Sequence, residues 1–436
     1  MQSVVQLPLY EELSKIVSSK KVVNQERSGT FVDNMKLPVH RWFRYSAGFS
    51  AEWVRRIIQM QKPASILDPF SGAGTVNITA DRMGISSFGY EAHPFVYKLS
   101  LAKTYWPCSP ISLIEAGNKL IKQSRALTPR LDMTENSLLI RCYSPNSLQQ
   151  LLQLKDAWMT LYANEETPVA KLIFLAITAV LRQTSSVGTA QWQYVLPEKK
   201  KAKVLEPITA FTNQLEIMAN DMFALQAEQK NSKAHIMNND ARTCVELASD
   251  SIDLVITSPP YANNYDYADA TRLEMTFWGE IESWGDLHDS VRQYLICSST
   301  QHASKEKFSL DEILSSKYLY CICHEITSVC NDLAAIREFK GGKKHYHTMI
   351  AAYFNDMAQI IHGLRRVVKN NGKMFFVIGD SAPYGIYVPV DKWLGEIALA
   401  TGFTAWRFEK LRDRNVKWKN RKHRVPLHEG VLIIDA

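Results

Sequence analysis

Residues 64–91 read ASILDPFSGAGTVNITADRMGISSFGYE, and this stretch has the clearest local architecture in the chain. A short apolar run ends in Asp68, a glycine-rich turn follows, and the next residues predict a helix over 75–83. Gly84 ends that helix, since glycine readily adopts the left-handed backbone found at helix C-termini. A second apolar strand then ends at Glu91. The stretch is therefore a strand–turn–helix–strand unit, the repeating element of a parallel α/β sheet.

Strand and helix patterns alternate along the rest of the chain. Residues 111–230 are mainly helical, apart from a strand expected at 137–143 (SLLIRCY), and a turn is expected at Asn371-Gly372. The pattern predicts an α/β fold with a doubly wound, mostly parallel sheet, a helical insertion and a second, irregular insertion. The remaining predicted strands are AHIMNND (234–240), SIDLVITSP (251–259), KMFFVIGD (373–380) and GVLIIDA (430–436).

The composition is that of an ordinary globular protein. Apolar residues make up 46% and charged residues 22% of the 436 residues, which excludes wholesale disorder. The net charge of +7 leans mildly toward a polyanionic partner. Seven cysteines at irregular spacings do not resemble a disulfide framework, and no signal peptide or membrane-length apolar run is visible. We therefore expect a cytoplasmic protein.

The glycine-rich turn and Glu91 together indicate a nucleotide-like ligand. Gly72 and Gly74 allow backbone amides to approach a ligand at a helix N-terminus. An acidic residue about 20 positions further on commonly accepts hydrogen bonds from ribose hydroxyls. An exposed carboxylate at a strand end is the alternative for Glu91, and its pairing with the turn favours the ligand.

The second informative stretch is Thr257–Tyr261, TSPPY, directly behind an apolar β-rich run. Two consecutive prolines cannot continue a strand, so the backbone must leave the sheet as a stiff, extended turn. Such a turn holds a hydroxyl, main-chain carbonyls and an aromatic ring in fixed positions. It is therefore suited to grip a flat polar ring.

DPFSGAGT (68–75) and TSPPY resemble the cofactor loop and catalytic loop of S-adenosylmethionine-dependent DNA methyltransferases that modify exocyclic amino groups. The resemblance extends to HRWFRYSAGFSAEWV (40–54), NNDAR (238–242), NNYDYADATRLEMTFWG (263–279) and residues 372–403, roughly half of the chain. It implies a Rossmann-like methyltransferase sheet and S-adenosyl-L-methionine as cofactor. The residues it implies for the cofactor are Trp42 and Tyr45 over the methionine moiety, Asp68, Pro69, Phe70, Gly72, Gly74 and Thr75 at the methionine end, Glu91 at the ribose, Asp240 at the adenine, and Thr257. For Trp42 and Tyr45, an aromatic core cluster is an equally good interpretation.

The resemblance assigns catalysis to Ser258, Pro259, Pro260 and Tyr261. The serine hydroxyl and a proline carbonyl would accept hydrogen bonds from an exocyclic amine, and Tyr261 would stack on a base flipped out of the duplex. Serine at this position favours the N4 amine of cytosine over the N6 amine of adenine. Cys108 lacks the partner motif of a carbon-5 methyltransferase, so no covalent intermediate is expected.

CICHEITSVC (321–330) invites a zinc site, reinforced by His345 and His347. The spacing matches none of the common zinc patterns, and Cys321, Cys323 and His324 crowd three donors into four residues. We expect buried helical cysteines and no metal.

The basic stretch 407–424 suits contact with DNA phosphates. The predicted organisation is a cofactor half (1–110), a helical insertion (111–235), a catalytic-loop region (236–280), an irregular insertion (281–345) and a C-terminal part (346–436). Both insertions are candidates for target recognition, double-stranded DNA is the expected partner, and a cognate restriction endonuclease is a second one. An N6-adenine DNA or RNA methyltransferase and a catalytically silent nucleic-acid-binding protein are the alternatives. The predicted DNA-binding residues are Arg412, Arg414, Lys417, Trp418, Lys419, Arg421 and Lys422.

Overall fold

The computed structural model is built around a seven-stranded sheet with helices on both faces. It describes residues 32–45, 48–127, 136–189, 195–227, 232–263, 266–303, 309–341, 344–414 and 425–436. Its strands are β1 (Ser65–Asp68), β2 (Ser86–Tyr90), β3 (Val187–Thr189), β4 (Val195–Lys200), β5 (Ala234–Met237), β6 (Ile252–Thr257), β7 (Val368–Gly379), β8 (Ala405–Arg414) and β9 (Leu427–Asp435).

The strand order of the main sheet is β5-β2-β1-β6-β7-β9-β8. Strands β5, β2, β1, β6 and β7 are mutually parallel, while β9 runs antiparallel to both of its neighbours. The chain builds outward from β1 through β2 to β5, and then returns to place β6 on the other side of β1. This reversal creates a crevice at the carboxyl ends of β1 and β6, the position where open α/β sheets bind ligands. The predicted α/β, doubly wound fold is confirmed.

The helices of the described chain cover both faces of this sheet and form a separate helical layer. They are α1 (Ala51–Gln61), α2 (Thr75–Arg82), α3 (Pro94–Thr104), α4 (Pro110–Ala126), α5 (Ser137–Cys142), α6 (Pro145–Tyr162), α7 (Pro168–Thr184), α8 (Pro207–Gln226), α9 (Tyr267–Ala270), α10 (Arg272–Trp278), α11 (Leu310–Leu314), α12 (Cys323–Phe339), α13 (Tyr346–Val367) and α14 (Val390–Thr401). No helix in these ranges is both long and apolar enough to cross a bilayer.

Apolar residues of α1 and α2 pack on one sheet face, and those of α13 and α14 pack on the other. The caps follow from the sequence. Ser50 accepts a hydrogen bond from the amide of Trp53 at the start of α1, and Gly402 ends α14 with φ 102°. These predicted helices and their ends are confirmed, and they fix the sheet edge on which the cleft opens.

The helical insertion has its own core, formed mainly by α4, α6, α7 and α8. Each of these four helices begins with proline, whose fixed φ and missing N–H suit the first helical position. The strand predicted at 137–143 is wrong, because this segment is helix α5. Asn136 caps it by accepting from the amide of Leu138, and Leu139 and Cys142 are buried at helical spacing.

Two further expectations need correction. The break at Asn371-Gly372 is a bulge inside β7 rather than a turn before it, since Ile252 pairs with Val368 while Leu254 pairs with Lys373. The cysteines at 321–330 are not uniformly buried: Cys330 on α12 is, but Cys321 and Cys323 are exposed. Among the described residues no group of three metal-ligating side chains is placed to hold an ion. The division of the chain into catalytic and target-recognition parts stays a prediction.

Candidate active site

A cleft opens at the carboxyl ends of the central parallel strands. The loops after β1, β2, β5 and β6 all contribute to its lining, so residues far apart in sequence meet at the topological switch point. Most of the predicted cofactor and catalytic residues lie here. Those that line the cleft directly are Tyr45, Pro69, Phe70, Gly72, Thr75, Glu91, Asp240, Ser258 and Pro260.

The glycine turn after β1 has the backbone geometry that its sequence predicts. Gly72 and Gly74 both have positive φ (51° and 79°), a conformation that residues with a Cβ atom rarely adopt. A Cβ atom added at Gly72 would lie 3.1 Å from a ring carbon of Tyr45. Gly72 thus lets the aromatic ring of Tyr45 lie against the turn at the cleft.

Asp68 supports this turn from behind the cleft wall. Its side chain is fully buried, and Oδ1 accepts hydrogen bonds from the amide of Phe70 (3.0 Å) and the hydroxyl of Thr257 (2.6 Å). Burial raises the pKa of Asp68 to about 7, against the lowering effect of these two bonds. No described residue gives Oδ2 a hydrogen-bond partner. Asp68 therefore joins the loop after β1 to the loop after β6.

Glu91 presents a carboxylate that is pre-positioned at the cleft. Oε2 accepts from the amide of Gly72 (2.7 Å), and Oε1 accepts from the amide of His93 (2.8 Å). Burial raises its pKa to about 7, although both amide bonds lower it. Each carboxylate oxygen has two lone pairs, so each can accept a further hydrogen bond from a ligand hydroxyl.

The catalytic loop leaves β6 beside the glycine turn. The Ser258 hydroxyl donates to the carbonyl of Val377 (3.2 Å), and its side chain also hydrogen-bonds with that of Tyr261, so a lone pair remains available as an acceptor. Tyr261 does not line the cleft, and its ring lies under the guanidinium of Arg414 at 5.0 Å. The loop therefore presents its serine and second proline toward the cleft and its tyrosine toward β8.

A polar network around Asp380 supports this tyrosine side of the loop. Asp380 directly follows β7 and is buried, and its Oδ1 accepts from the amide of His428 (2.8 Å). Its backbone carbonyl accepts from Nη1 of Arg414 (2.6 Å), which fixes the guanidinium over Tyr261. The sequence analysis did not single out Asp380. The sequence signal that could have identified Asp380 is its position directly after an apolar strand that is parallel to β6.

Two other predicted cofactor residues, Trp42 and Asp240, are engaged by side chains of the protein itself. Trp42 is fully buried and its indole N–H donates to Asp221 (2.9 Å), so the structure places it in the core cluster that was its alternative interpretation. Asp240 reaches the cleft, but its carboxylate pairs with Arg242 and accepts from that residue's amide (2.9 Å).

The predicted DNA-binding residues divide into two groups. Arg412 pairs with Glu429 (2.9 Å), and Arg414 covers Tyr261. Lys417, Trp418, Lys419, Arg421 and Lys422 lie outside the described residues. Of the predicted residues that the structure describes, Arg414 at the end of β8 lies beside the loop that follows β6.

One wall of the cleft was not predicted from the sequence. Tyr294, Leu295, Ile296 and Ser298 from the second insertion line it, together with His93 and Tyr267. Burial lowers the pKa of His93 to about 3, so this imidazole is neutral at physiological pH. No sequence motif marked the segment 294–298, because it adopts no regular element over which a periodic pattern would show.

A doubly wound sheet with an acidic residue at the end of β2 and a stiff Ser-Pro-Pro-Tyr loop at the end of β6 is the arrangement that the predicted resemblance to methyltransferases implies. Comparison with known proteins agrees. The chain is 26% identical over 456 aligned residues to the Type II methyltransferase M.BsoBI of Geobacillus stearothermophilus, covering 92% of this chain and 86% of the relative. It is 27% identical over 418 residues to the Type II methyltransferase M.AvaI of Nostoc sp. and that of Anabaena variabilis, covering 88% of this chain and 82% of each relative.

These similarities span nearly the whole chain and confirm the predicted resemblance to the DNA methyltransferase family. No family model matches the chain. Among solved structures, the rRNA methyltransferase AviRa of Streptomyces viridochromogenes aligns over 89% of this chain and 85% of its own, with 8% identity and a TM-score of 0.30. A likeness at that score carries no weight for fold or function.

Proposed function

We propose that this protein is an S-adenosylmethionine-dependent DNA methyltransferase that modifies the N4 amine of a flipped-out cytosine in double-stranded DNA. The observation that carries the proposal is the junction of two loops at the switch point. The glycine turn after β1 and the Ser-Pro-Pro-Tyr loop after β6 are joined by the hydrogen bond between Thr257 and Asp68. A cofactor loop and a base-gripping loop must adjoin for direct transfer between two bound molecules.

The residues of the cleft fit S-adenosyl-L-methionine. Glu91 offers acceptor capacity for ribose hydroxyls, and the positive-φ turn at Gly72 leaves room where a side chain would meet Tyr45. Tyr45, Phe70, Gly72 and Glu91 would hold the cofactor, with Asp68 shaping the turn. When bound, the cofactor supplies an electrophilic methyl group.

The residues of the catalytic loop would prepare the amine. An exocyclic amine is a poor nucleophile, since its lone pair is delocalised into the ring. The Ser258 hydroxyl donates its hydrogen bond to the carbonyl of Val377. Its oxygen can therefore accept a hydrogen bond from an N–H of the amine, which would favour a tetrahedral nitrogen. The prolines at 259 and 260 hold their carbonyls still as further acceptors. As the new N–C bond forms and the C–S bond breaks, the nitrogen releases one proton to solvent.

The proposed target and partner rest on the resemblance to amino-group DNA methyltransferases. Serine at position 258 favours cytosine N4, and an N6-adenine or RNA base methyltransferase is the second candidate on the same site. The Type II relatives support a modification enzyme of a restriction-modification system. A cognate endonuclease is the partner that we propose for such an enzyme. Arg414, within the basic stretch 407–424, adjoins Tyr261, a position suited to phosphate contacts near a flipped base.

The test is to incubate the protein with methyl-labelled S-adenosylmethionine and unmethylated duplex DNA, and to identify the labelled nucleoside by mass spectrometry. N4-methylcytosine is the expected product. N6-methyladenine would overturn the target while keeping the site, and label in RNA alone would favour the RNA methyltransferase. Cofactor binding without transfer to either nucleic acid would favour the silent binding protein. Ser258→Ala should lower the label strongly if its hydroxyl is the acceptor.

A further inference from the structure

The second insertion contributes one complete wall of the cleft. Its segment Tyr294–Ser298 follows a short π-helix at His288–Arg292 and contributes to the cleft lining together with the glycine turn. Tyr294 is 47% exposed, whereas Ile296 and Ser298 are buried. The segment thus runs from the mouth of the cleft into its interior.

Ser298 is the polar group at the inner end of this wall. Its side chain is 0% exposed and lines the cleft, yet none of the described residues gives its Oγ a hydrogen-bond partner. Its amide donates to the carbonyl of Ile296 (2.9 Å), so the backbone there is tightly turned. Buried hydroxyls are almost always hydrogen-bonded in folded proteins. An unpaired hydroxyl that lines a ligand-sized cleft therefore points to a ligand as its partner.

Two sets of contacts hold the segment, one just before it and one within it. They fix Ser298 in place. Before it, Arg292 donates from Nε (2.9 Å) and Nη2 (2.6 Å) to Oδ2 of Asp266, the residue directly preceding Tyr267. Burial raises the pKa of Asp266, but hydrogen bonds from His302 and Arg292 outweigh burial and lower it to about 2, so the carboxylate stays ionised. Within the segment, the amide of Cys297 donates to Asp356 of α13 (2.9 Å).

We propose that Ser298 is a cofactor-binding residue, and that the wall Tyr294–Ser298 of the second insertion is part of the S-adenosylmethionine site. The inference rests on the proposed function, since it takes the cleft to be the cofactor site. It gives the second insertion a role besides the target recognition predicted for it. The Asp266–Arg292 pair positions this wall and also ties it to the catalytic-loop side of the molecule.

The chain offers a matched control in the next residue. Ser299 is also buried (5% exposed) and its Oγ also has no partner among the described residues, but it does not line the cleft. Ser298→Ala and Ser299→Ala make the same chemical change one residue apart. We would measure the Kd of each variant for S-adenosyl-L-homocysteine by isothermal titration calorimetry, with thermal denaturation of the unliganded proteins to compare folding.

Ser298→Ala should raise Kd about three- to tenfold, the usual effect of losing one uncharged hydrogen bond to a ligand. Ser299→Ala should bind like the wild type, and neither variant should unfold at a markedly lower temperature. Wild-type affinity in Ser298→Ala, or equal losses in both variants, would overturn the assignment while leaving the proposed function intact. Failure of the wild type to bind S-adenosyl-L-homocysteine would overturn both the assignment and the proposed function.

Discussion

The loops that follow the neighbouring strands β1 and β6 differ in their backbones, since one contains two glycines and the other contains two prolines. The loop after β1 contains two glycines at positive φ, which bring its backbone and the ring of Tyr45 into close contact. The loop after β6 contains two prolines, which remove backbone donors and stiffen a row of acceptors. One loop is shaped to accommodate a ligand closely, and the other is shaped to hold acceptors still.

Under the proposed function, the loop after β1 would bind the cofactor and the loop after β6 would bind the target base. The two loops nevertheless share one buried carboxylate, because Asp68 accepts from Phe70 in the first loop and from Thr257 in the second. Substitutions should therefore fall into three groups: those that affect cofactor binding, those that affect transfer, and those at the junction that affect both.

The largest effect is expected from Asp68→Ala. The change leaves the amide of Phe70 and the hydroxyl of Thr257 without their buried acceptor and loosens the glycine turn. The Kd for S-adenosyl-L-homocysteine should rise on the order of 100-fold, from about 3 kcal/mol of lost interactions. Calorimetric titration measures it, and unimpaired binding would remove Asp68 from the pocket.

Asp81→Asn and Asp68→Asn sharpen this test. Asp81 is equally buried and accepts from the indole of Trp106 (2.7 Å), but it lies away from the cleft on α2. Asp81→Asn should leave the Kd of the folded protein near that of the wild type. Asp68→Asn keeps one carbonyl acceptor and should fall between Asp68→Ala and the wild type.

Tyr261→Ala tests the other loop. Since Tyr261 does not line the cleft, its removal should leave cofactor affinity within about twofold. Loss of a base-stacking ring should lower single-turnover methyl transfer by about 10- to 100-fold, or about 1–3 kcal/mol. Tyr320→Ala is the control, because that ring is 86% exposed elsewhere on the surface. A large loss of cofactor binding in Tyr261→Ala would erase the distinction between the two loops.

The pH dependence of stability tests whether Glu91 is held as a desolvated acid on the cofactor side. Its pKa is raised from 4.5 in the unfolded chain to about 7 in the fold. Between those values the folded state binds a proton that the unfolded state lacks, so this group's contribution to the unfolding free energy falls as pH rises, and becomes constant above the folded pKa.

Glu91→Gln lacks this titration. In urea denaturation from about pH 5 to about pH 8, the variant should therefore gain stability relative to the wild type, by on the order of 1–2 kcal/mol in total. Loss of one acceptor for the amides of Gly72 and His93 adds an offset that does not change with pH. A difference between the two proteins that stays constant across this range would contradict the raised pKa.

Local patterns were sufficient to predict most of the elements around the site. Thr75–Arg82 is followed by Gly84 at positive φ and Val390–Thr401 by Gly402 at φ 102°, so the ends of both helices could be predicted from their glycines. The segment 137–143 misled because its apolar residues suit either a strand or a short helix, and the Asn136 cap decided between them. Short runs of this kind carry too few periods to distinguish the two structures.

The site itself was predictable only where a motif fixes its own geometry. Gly72, Glu91 and Ser258 reached the cleft as predicted, because each follows a parallel strand whose carboxyl end faces it. Trp42 did not, since its burial depends on Asp221, which is 179 residues away in sequence. Ser298 and Asp380 are placed near the site by contacts between residues far apart in sequence, and no local sequence pattern predicts such contacts.

The smallest effect, and the most direct test of the junction between the loops, is expected from Thr257→Val. The change removes only the hydroxyl that donates to Asp68, so the carboxyl keeps its bond from Phe70 and its pKa rises further. Cofactor affinity and the methyl-transfer rate at saturating cofactor should both fall about fivefold, or about 1 kcal/mol each. Thr79→Val is the matched control, because that buried hydroxyl donates to Thr75 within α2. A loss in only one of the two measurements would show that the loops work independently, since a shared carboxylate must transmit the change to both.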